Sequence, residues 1–376
     1  MAVQEPNPFP VQGYDTDTFC DREAELARLE RALLADWNVT LIALRRMGKS
    51  ALIHHLFHTV RKRAGCLYVD LHPTTDVAGL TNALASAVAR HLHSRGKKMA
   101  EVLRDFTRLI SGTIKIGPDG TPSVELHAAT SSGSGGDSEQ LADVFRYLEA
   151  YDKRVIVAFD EFQQVASYAE GNVEELLRSH IQRMKNTRFL FAGSNRDLMT
   201  LMFSDHARPF YQSTEHMMLG SIDAEVYSAF IIEQFAKRRR RISAAASMRV
   251  QELAERRTFH VQQLCNRLYA RGTTRIEEAN ADAVFAEVLG EQEHLYYGFR
   301  SMITDQQWSV LSAVAKDRVV AEPSGTQFIE RNRLGPTSTV RRALDALLEK
   351  ELVYRDQEGY HVEDPFLAAW IRRTFV

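Results

Sequence analysis

Short apolar runs and stretches of helical periodicity alternate along the chain up to about residue 220. A lead-in carrying Pro6, Pro8, Pro10 and Gly13 gives way at Asp21, a candidate N-cap, to Leu26, Leu29 and Leu33 at helical spacing. Val39-Thr40-Leu41-Ile42-Ala43-Leu44 is a β-rich run of the buried-strand type. A glycine-lysine loop and a helix from about Gly48 to Lys62 follow it. Cys66 to Leu71 predicts a second strand, and Val77 to Ser94 a helix. Between Gly112 and Gly136 the rhythm breaks. Thr113 to Ile116 and Ser123 to Leu126 flank Pro118-Asp119-Gly120 as a hairpin, and Ser131 to Ser138 reads as a Gly/Ser-rich surface loop. The rhythm resumes with a strand at Val155 to Phe159, a helix from Val173 to Lys185 and a strand from Arg188 to Ala192. Such alternation predicts a mainly parallel sheet covered on both faces.

Beyond about Ser221 the pattern is helical to about Arg300. From about Thr304 come three helices, Asp305 to Val314, Gln327 to Asn332 and Thr337 to Lys350. Leu352-Val353-Tyr354 and Tyr360-His361-Val362 then flank a polar turn. The expected organisation is a lead-in over 1–18, an α/β core over 19–220 with an insertion at 112–138, a helical segment over 221–300 and a third unit over 301–376. No repeat of solenoid period interrupts this order.

At 376 residues the chain is long enough for two or three domains, and 44% hydrophobic with 26% charged residues is globular composition. A net charge of −2 gives no chain-wide attraction to nucleic acid or anionic membrane, so any such contact needs a local patch. Cys20, Cys66 and Cys265 are far apart, which points away from a disulfide framework or a cysteine zinc site. The opening MAVQEPNPFP lacks a signal-peptide pattern, and apolar stretches such as Val155 to Phe159 fall far short of the roughly 20 residues that span a bilayer. The expectation is a soluble cytoplasmic protein with no membrane partner.

The main candidate chemistry lies in Ala43-Leu44-Arg45-Arg46-Met47-Gly48-Lys49-Ser50, between a strand and a helix. A helix start with unpaired N–H groups favours an anion, which is the setting of a phosphate-binding loop. Lys49 would reach the β- and γ-phosphates, and Ser50 would ligate Mg²⁺. Ala43 stands where the usual loop begins with glycine. The strand Val155 to Phe159 ends in Asp160-Glu161, at the edge where a parallel sheet meets its ligand. Asp160 would hold the Mg²⁺ shell through water, and Glu161 would polarise an attacking water. The strand Arg188 to Ala192 ends in Gly193-Ser194-Asn195. A polar side chain there either bonds the γ-phosphate or attacking water, or caps the next helix.

Together these residues resemble the P-loop ATPases of the additional-strand class, specifically the prokaryotic archaeal ATPase family within the broader AAA+/STAND assemblage. The resemblance runs over nearly the whole chain through Asn7-Pro8-Phe9, Phe19-Cys20-Asp21-Arg22-Glu23, Arg45 to Ser50, Phe159-Asp160-Glu161-Phe162-Gln163 and Gly193-Ser194. It implies a parallel-sheet ATPase core, a helical lid over 221–300 and a C-terminal winged helix over 301–376. It also implies ATP/ADP with Mg²⁺ as cofactors. No Asn-Lys-x-Asp stretch of the guanine-specific type is present. By the same analogy Phe9 and Arg22 border the adenine pocket, and Arg45, Arg46, Met47, Gly48, Lys49, Ser50 and Ala51 line the phosphates. Arg208, in Ala207-Arg208-Pro209-Phe210, is the candidate arginine finger or else a surface salt-bridge residue. In Thr258 to Cys265 the chain departs from the family, with Val261 where proline is common. His260 beside it is either a nucleotide sensor or a structural residue.

In the winged-helix-like unit, Thr337 to Lys350 would be the recognition helix, with Arg341 and Arg342 in its N-terminal half. From Tyr296 to Val376, however, 11 Lys/Arg balance 11 Asp/Glu, so the partner of residues 301–376 is either DNA or protein. Lys237 to Arg241 is the densest basic run, a solvated helix face or a contact for phosphates or an acidic partner. The favoured expectation is a Mg-dependent ATPase acting as a conformational switch, possible as an oligomer. A nucleotide-gated DNA- or protein-binding regulator with little hydrolysis is the alternative. A small-molecule kinase is weaker, because no compact acceptor pocket is legible.

Overall fold

The computed structural model describes residues 7–93, 100–118, 120–126 and 135–375. The chain forms two compact units, one of Arg22–Gly220 and the other of the segment before Arg22 together with the chain from Ser221 onward.

The first unit opens with α1 (Glu23–Leu34), β1 (Val39–Ala43), α2 (Lys49–Val60), β2 (Gly65–Asp70) and α3 (Val77–His93). An excursion follows of α4 (Ala100–Leu109), β3 (Gly112–Ile116), β4 (Pro122–Leu126) and α5 (Gly135–Ala150). The alternation then resumes as β5 (Val155–Asp160), α6 (Val173–Ile181), β6 (Thr187–Gly193), α7 (Arg196–Ser204) and β7 (Glu215–Leu219). Five strands form one sheet in the order β2-β5-β6-β1-β7, and every pairing is parallel. One strand, β6, stands between the loop-bearing β1 and the acid-bearing β5. All residues of β1 and β5 are buried, as continuous apolar runs covered on both faces require. The shared direction gathers Ala43, Asp70, Asp160 and Gly193 on one rim, where Asp70 pairs with Asp160 and Ile42 with Gly193. Beneath that rim Phe159, Phe162, Phe189, Phe191, Phe203 and Phe210 pack together, with Phe162 4.6 Å from Phe191. This aromatic core fixes the segment that leaves β5.

Several expectations change. The N-cap of α1 is Arg22 and not Asp21; both have positive φ, and Arg22 gives no side-chain cap because its guanidinium bonds elsewhere. The hairpin is β3–β4, held on α3 as the Val124 and Leu126 N–H groups donate to Ser86 Oγ and Asn82 Oδ1. Its turn residue Asp119, and residues 131–134 of the expected Gly/Ser loop, lie outside the described residues. Residues 135–138 open α5 instead of a loop. The strand β7 has no counterpart in the sequence pattern.

The second unit contains α8 (Ala224–Lys237), β8 (Arg241–Ile242), α9 (Ala244–Leu253), α10 (Thr258–Ala270), β9 (Arg275–Ile276) and α11 (Glu278–Ser301). The segment is therefore not wholly helical, since β8 and β9 pair in parallel. The basic run is not a helix face either. It turns out of α8 through Arg239 at φ +57° into β8, and the Arg240 guanidinium lies 3.8 Å over the Tyr269 ring. The last elements are α12 (Asp305–Asp317), α13 (Thr326–Asn332), α14 (Thr337–Glu349), β10 (Val353–Arg355), β11 (Tyr360–Val362) and α15 (Pro365–Phe375). Val340, Ala343, Leu344 and Leu347 form the buried face of α14, and Arg341 and Arg342 are exposed. Among the described residues no helix is long and apolar enough to cross a membrane.

Candidate functional site

The site grows from the turn between β1 and α2. Ala43 ends β1 buried and with no positive φ, so the alanine fits as strand, and the left-handed turn falls on Arg46 (φ +65°) and Gly48 (φ +85°). Gly48 is the N-cap of α2 and offers no side chain to its first-turn N–H groups. Those donors and the helix dipole are what an anion needs. Arg45 and Arg46 are exposed, Met47 is buried, and Ala51 lies half-buried in the first turn.

Lys49, the first residue of α2, is buried and turned toward two carboxylates. Its Nζ lies 2.7 Å from Asp160 Oδ1 and 2.9 Å from Glu161 Oε1. Ser50 Oγ donates to Asp160 Oδ2 at 2.6 Å, and the Tyr68 hydroxyl donates to the same oxygen at 2.6 Å. Burial works against ionisation of Asp160, but the charge of Lys49 and the hydrogen bonds of Lys49, Ser50 and Tyr68 outweigh it and hold the carboxyl below its ordinary value. Burial also opposes ionisation of Glu161, and Lys49, Ser194 and Gln163 overcome it in the same sense. Burial, then the Asp160 charge, push the Tyr68 phenol up. Burial lowers the nearby His54 imidazole against the pull of Asp160.

Glu161 sits at φ +54°, a left-handed backbone that is uncommon outside glycine and concentrates at functional sites. One of its oxygens, Oε2, accepts from Ser194 Oγ at 2.7 Å and from Gln163 Nε2 at 2.6 Å, leaving Oε1 to Lys49. The close approach of Gln163 depends on Gly193, where a Cβ would lie 2.5 Å from Gln163 Oε1. Asn195 Oδ1 accepts from Leu198 N–H at 3.0 Å and caps α7, so of the two readings for this strand end the cap belongs to Asn195, while Ser194 faces Glu161.

Lys49, Ser50, Asp160, Glu161 and Ser194 thus converge. Arg45, Arg46, Met47, Gly48 and Ala51 flank Lys49 and Ser50 in the same segment, and Arg22, Arg208, Phe9 and His260 have partners of their own. Arg22 is buried, donating to Glu25 Oε1 and to the Gly220 carbonyl, each at 2.7 Å. Arg208 pairs with Glu174 of α6, whose carboxyl is lifted by burial despite that arginine. Phe9 is buried in the core of the second unit, 4.8 Å from Phe235, and Asn266 Nδ2 donates to its carbonyl. His260 is buried there too, its ring 4.2 Å from Phe366 and its Nε2 3.7 Å from Asp364 Oδ1. Tyr68 and Gln163 are partners that the sequence pattern did not assign. The signal for them is strand adjacency, which places Tyr68 opposite Ala158, two residues before Asp160.

The donor set fits a hard divalent cation, which prefers oxygen ligands, and Ser50 and Asp160 supply two. It fits a polyphosphate equally, through the α2 start and the Lys49 ammonium. Among the described residues no group of three or more His, Cys, Asp or Glu could hold a metal by itself.

A family described as a probable winged helix domain matches residues 294–373. Solved structures are similar over nearly the whole length. The Walker-type ATPase paby2304 of Pyrococcus abyssi matches at TM-score 0.66 and 16% identity, covering 97% of this chain and 99% of its own. The Aeropyrum pernix ORC2 protein, solved as ADPNP-ADP complexes, matches at 0.56 and 14%, with 96% and 95% covered. The ORC1 protein of the same organism, solved in complex with DNA, matches at 0.52 and 14%, with 95% and 93% covered. The fold is that of a P-loop ATPase with a C-terminal winged helix. No curated protein matches the sequence significantly.

Proposed function

We propose that the chain binds ATP with Mg²⁺ and hydrolyses it, as a nucleotide-driven conformational switch. The observation that carries this reading is the capture of Lys49, at the start of α2, between Asp160 and Glu161. A buried ammonium held by two carboxylates beside a helix N-terminus is a cation ready for transfer to phosphate. Ser50 and Asp160 would hold Mg²⁺, which supplies charge neutralisation between the phosphates when bound. When phosphate takes the Lys49 ammonium, Glu161 Oε1 is released, while Ser194 and Gln163 keep Oε2 fixed. Glu161 then has one anchored and one available oxygen, as a group that orients water requires. Occupancy of the phosphate site and readiness of the base are therefore linked.

Motion would follow from the chain path, which passes between the two units at Asp21–Arg22 and again at Gly220–Ser221. Closure of a lid on nucleotide is a common way to couple such chemistry to movement. Phosphate release with ATP and Mg²⁺, measured across protein concentrations with Glu161→Gln as control, tests the reading. Turnover lost in Glu161→Gln with ATP binding kept supports it. Equal turnover in both chains removes Glu161 from the role.

A second reading is a nucleotide-gated regulator with little intrinsic hydrolysis, its partner engaged through residues 301–376. It is favoured by Arg208, the candidate finger, which is already engaged with Glu174. The ORC1 neighbour was solved with DNA, and α14 exposes Arg341 and Arg342, so duplex DNA is the first partner to try. A mobility-shift assay with and without a non-hydrolysable ATP analogue separates the two readings. A shift gated by the analogue, without phosphate release, selects the regulator.

A further inference from the structure

Asp160 receives four hydrogen-bonding groups: Lys49 Nζ at 2.7 Å and the Glu161 N–H at 3.0 Å on Oδ1, and the Ser50 and Tyr68 hydroxyls, each at 2.6 Å, on Oδ2. Three of the four have a place in the nucleotide reading or in the backbone. Tyr68 has none. We propose that Tyr68 is a positioning residue, which sets the Asp160 carboxylate for the divalent cation; the inference rests on the nucleotide and Mg²⁺ reading above.

Lys49 is the donor that phosphate would draw away, and Ser50 is the donor whose oxygen would face the cation. That leaves Oδ2 dependent on Tyr68 for its orientation when the site fills. The tyrosine is well placed to supply it. Strand β2 pairs with β5 so that Tyr68 lies opposite Ala158 and Asp70 opposite Asp160, which sets the ring one pleat behind the rim. Its ring lies 4.6 Å from that of His54, one turn beyond Ser50 on α2. Ser50, His54, Tyr68 and Asp160 thus form one packed set drawn from α2, β2 and β5. Groups that hydrogen-bond a metal-binding carboxylate from outside fix its direction, and losing one costs about 10- to 100-fold in metal affinity.

The test is calorimetric titration of the full chain with ATP, once with excess Mg²⁺ and once with EDTA. In Tyr68→Phe the affinity for ATP with Mg²⁺ falls by about 10-fold, whereas the affinity in EDTA stays at the wild-type value. Asp160→Asn lowers the Mg²⁺-dependent affinity, and adding Tyr68→Phe to it lowers it no further. His54→Leu, which leaves the hydroxyl but removes the ring beside it, shifts the Mg²⁺ arm in the same direction and so keeps the test open if Tyr68→Phe does not fold. A Tyr68→Phe loss of equal size in both arms, or a full additional loss on Asp160→Asn, marks an ordinary packing residue and overturns the inference. A wild-type chain that responds to Mg²⁺ while Tyr68→Phe responds identically overturns it alone. A wild-type chain that binds no ATP in either arm overturns the nucleotide reading and this inference with it.

Discussion

The ammonium of Lys49 lies 2.7 Å from Oδ1 of Asp160, with both side chains almost wholly buried. Two buried opposite charges in contact are held mainly by each other, because burial alone disfavours each of them. The second carboxylate, Glu161, shares the same cation. Withdrawing the lysine therefore leaves negative charge in a desolvated place.

Lys49→Ala should on this basis do two separable things. On the proposed nucleotide reading, tight ATP binding is lost, because Lys49 is the cation that would meet the phosphates. The empty protein also loses about 3–5 kcal/mol at neutral pH, the usual cost of removing one member of a buried pair. The sign of the pH dependence follows from the carboxylates. In the wild type Lys49 depresses both below their ordinary values of 3.8 and 4.5, so their stabilising contribution is present above those values and lost as pH falls through the depressed ones. In the variant the opposing effect of burial is left unbalanced, both carboxyls rise, and protonation relieves them. The stability gap between the two proteins should narrow as pH is lowered toward that range. Urea denaturation at pH 7 and about pH 5 reads it; a gap that widens on acidification contradicts the buried-pair account.

Gly193→Ala probes the Glu161 anchor without touching a charged group. The added methyl would lie 2.5 Å from Gln163 Oε1 and 2.5 Å from Met199 Cγ and Sδ. Something must move, at a cost of about 1–3 kcal/mol typical of overpacking. Displacing Gln163 takes one hydrogen bond from Glu161 Oε2, and turnover should drop by about 10-fold, the size of one bond to a charged group. ATP affinity should hold, since Lys49 and the α2 start are unaffected. A loss in affinity with unchanged turnover would place Gln163 outside the water-orienting group.

The loop at Gly48-Lys49-Ser50 and the acids at Asp160-Glu161 were legible because each sits at the end of a short apolar run, where strand, turn and chemistry are adjacent in sequence. Their two nearest supports were not. Tyr68 reaches Asp160 across a strand pairing, and the Gln163 amide that bonds Glu161 packs against Gly193, where a side chain would crowd it. Both facts are set by strand order, which local periodicity does not carry. The missed strand β7 makes the same point. Glu215-His216-Met217-Met218-Leu219 has little β-branched character and is a strand because β1 pairs with it. The basic run of Lys237 to Arg241 reads as a helix face because charge says nothing about where a helix stops; α8 ends at Lys237, and the left-handed Arg239 turns the chain away from it.

Arg208 gives a prediction about assembly. Within its own unit it is paired with Glu174, so service to a neighbour's phosphate requires that pair to open. If it is the finger, an Arg208→Ala chain has an intact loop but no donor, and a Lys49→Ala chain has a donor but no loop. Each should be nearly inactive alone, and mixing them should restore phosphate release at high protein concentration. Mixtures no more active than their components would leave Arg208 as a structural ion pair.

Arg22 decides between two placements of its function. Its guanidinium joins Glu25 and the Gly220 carbonyl, so within the core unit it ties the first chain crossing to the last. A planar guanidinium meets two acceptors in directions that an ammonium does not reproduce, so Arg22→Lys weakens the tie while keeping the charge. If Arg22 transmits the state of the site to the crossings, ATP should slow amide exchange around residues 220–224 in the wild type and not in Arg22→Lys, with ATP affinity unchanged. If it borders the adenine pocket instead, affinity for ATP should fall while affinity for inorganic triphosphate stays constant. Hydrogen exchange and competition binding on the same two proteins distinguish these outcomes. Retained protection together with retained affinity would remove Arg22 from both roles and leave it as a stabiliser of the α1 start.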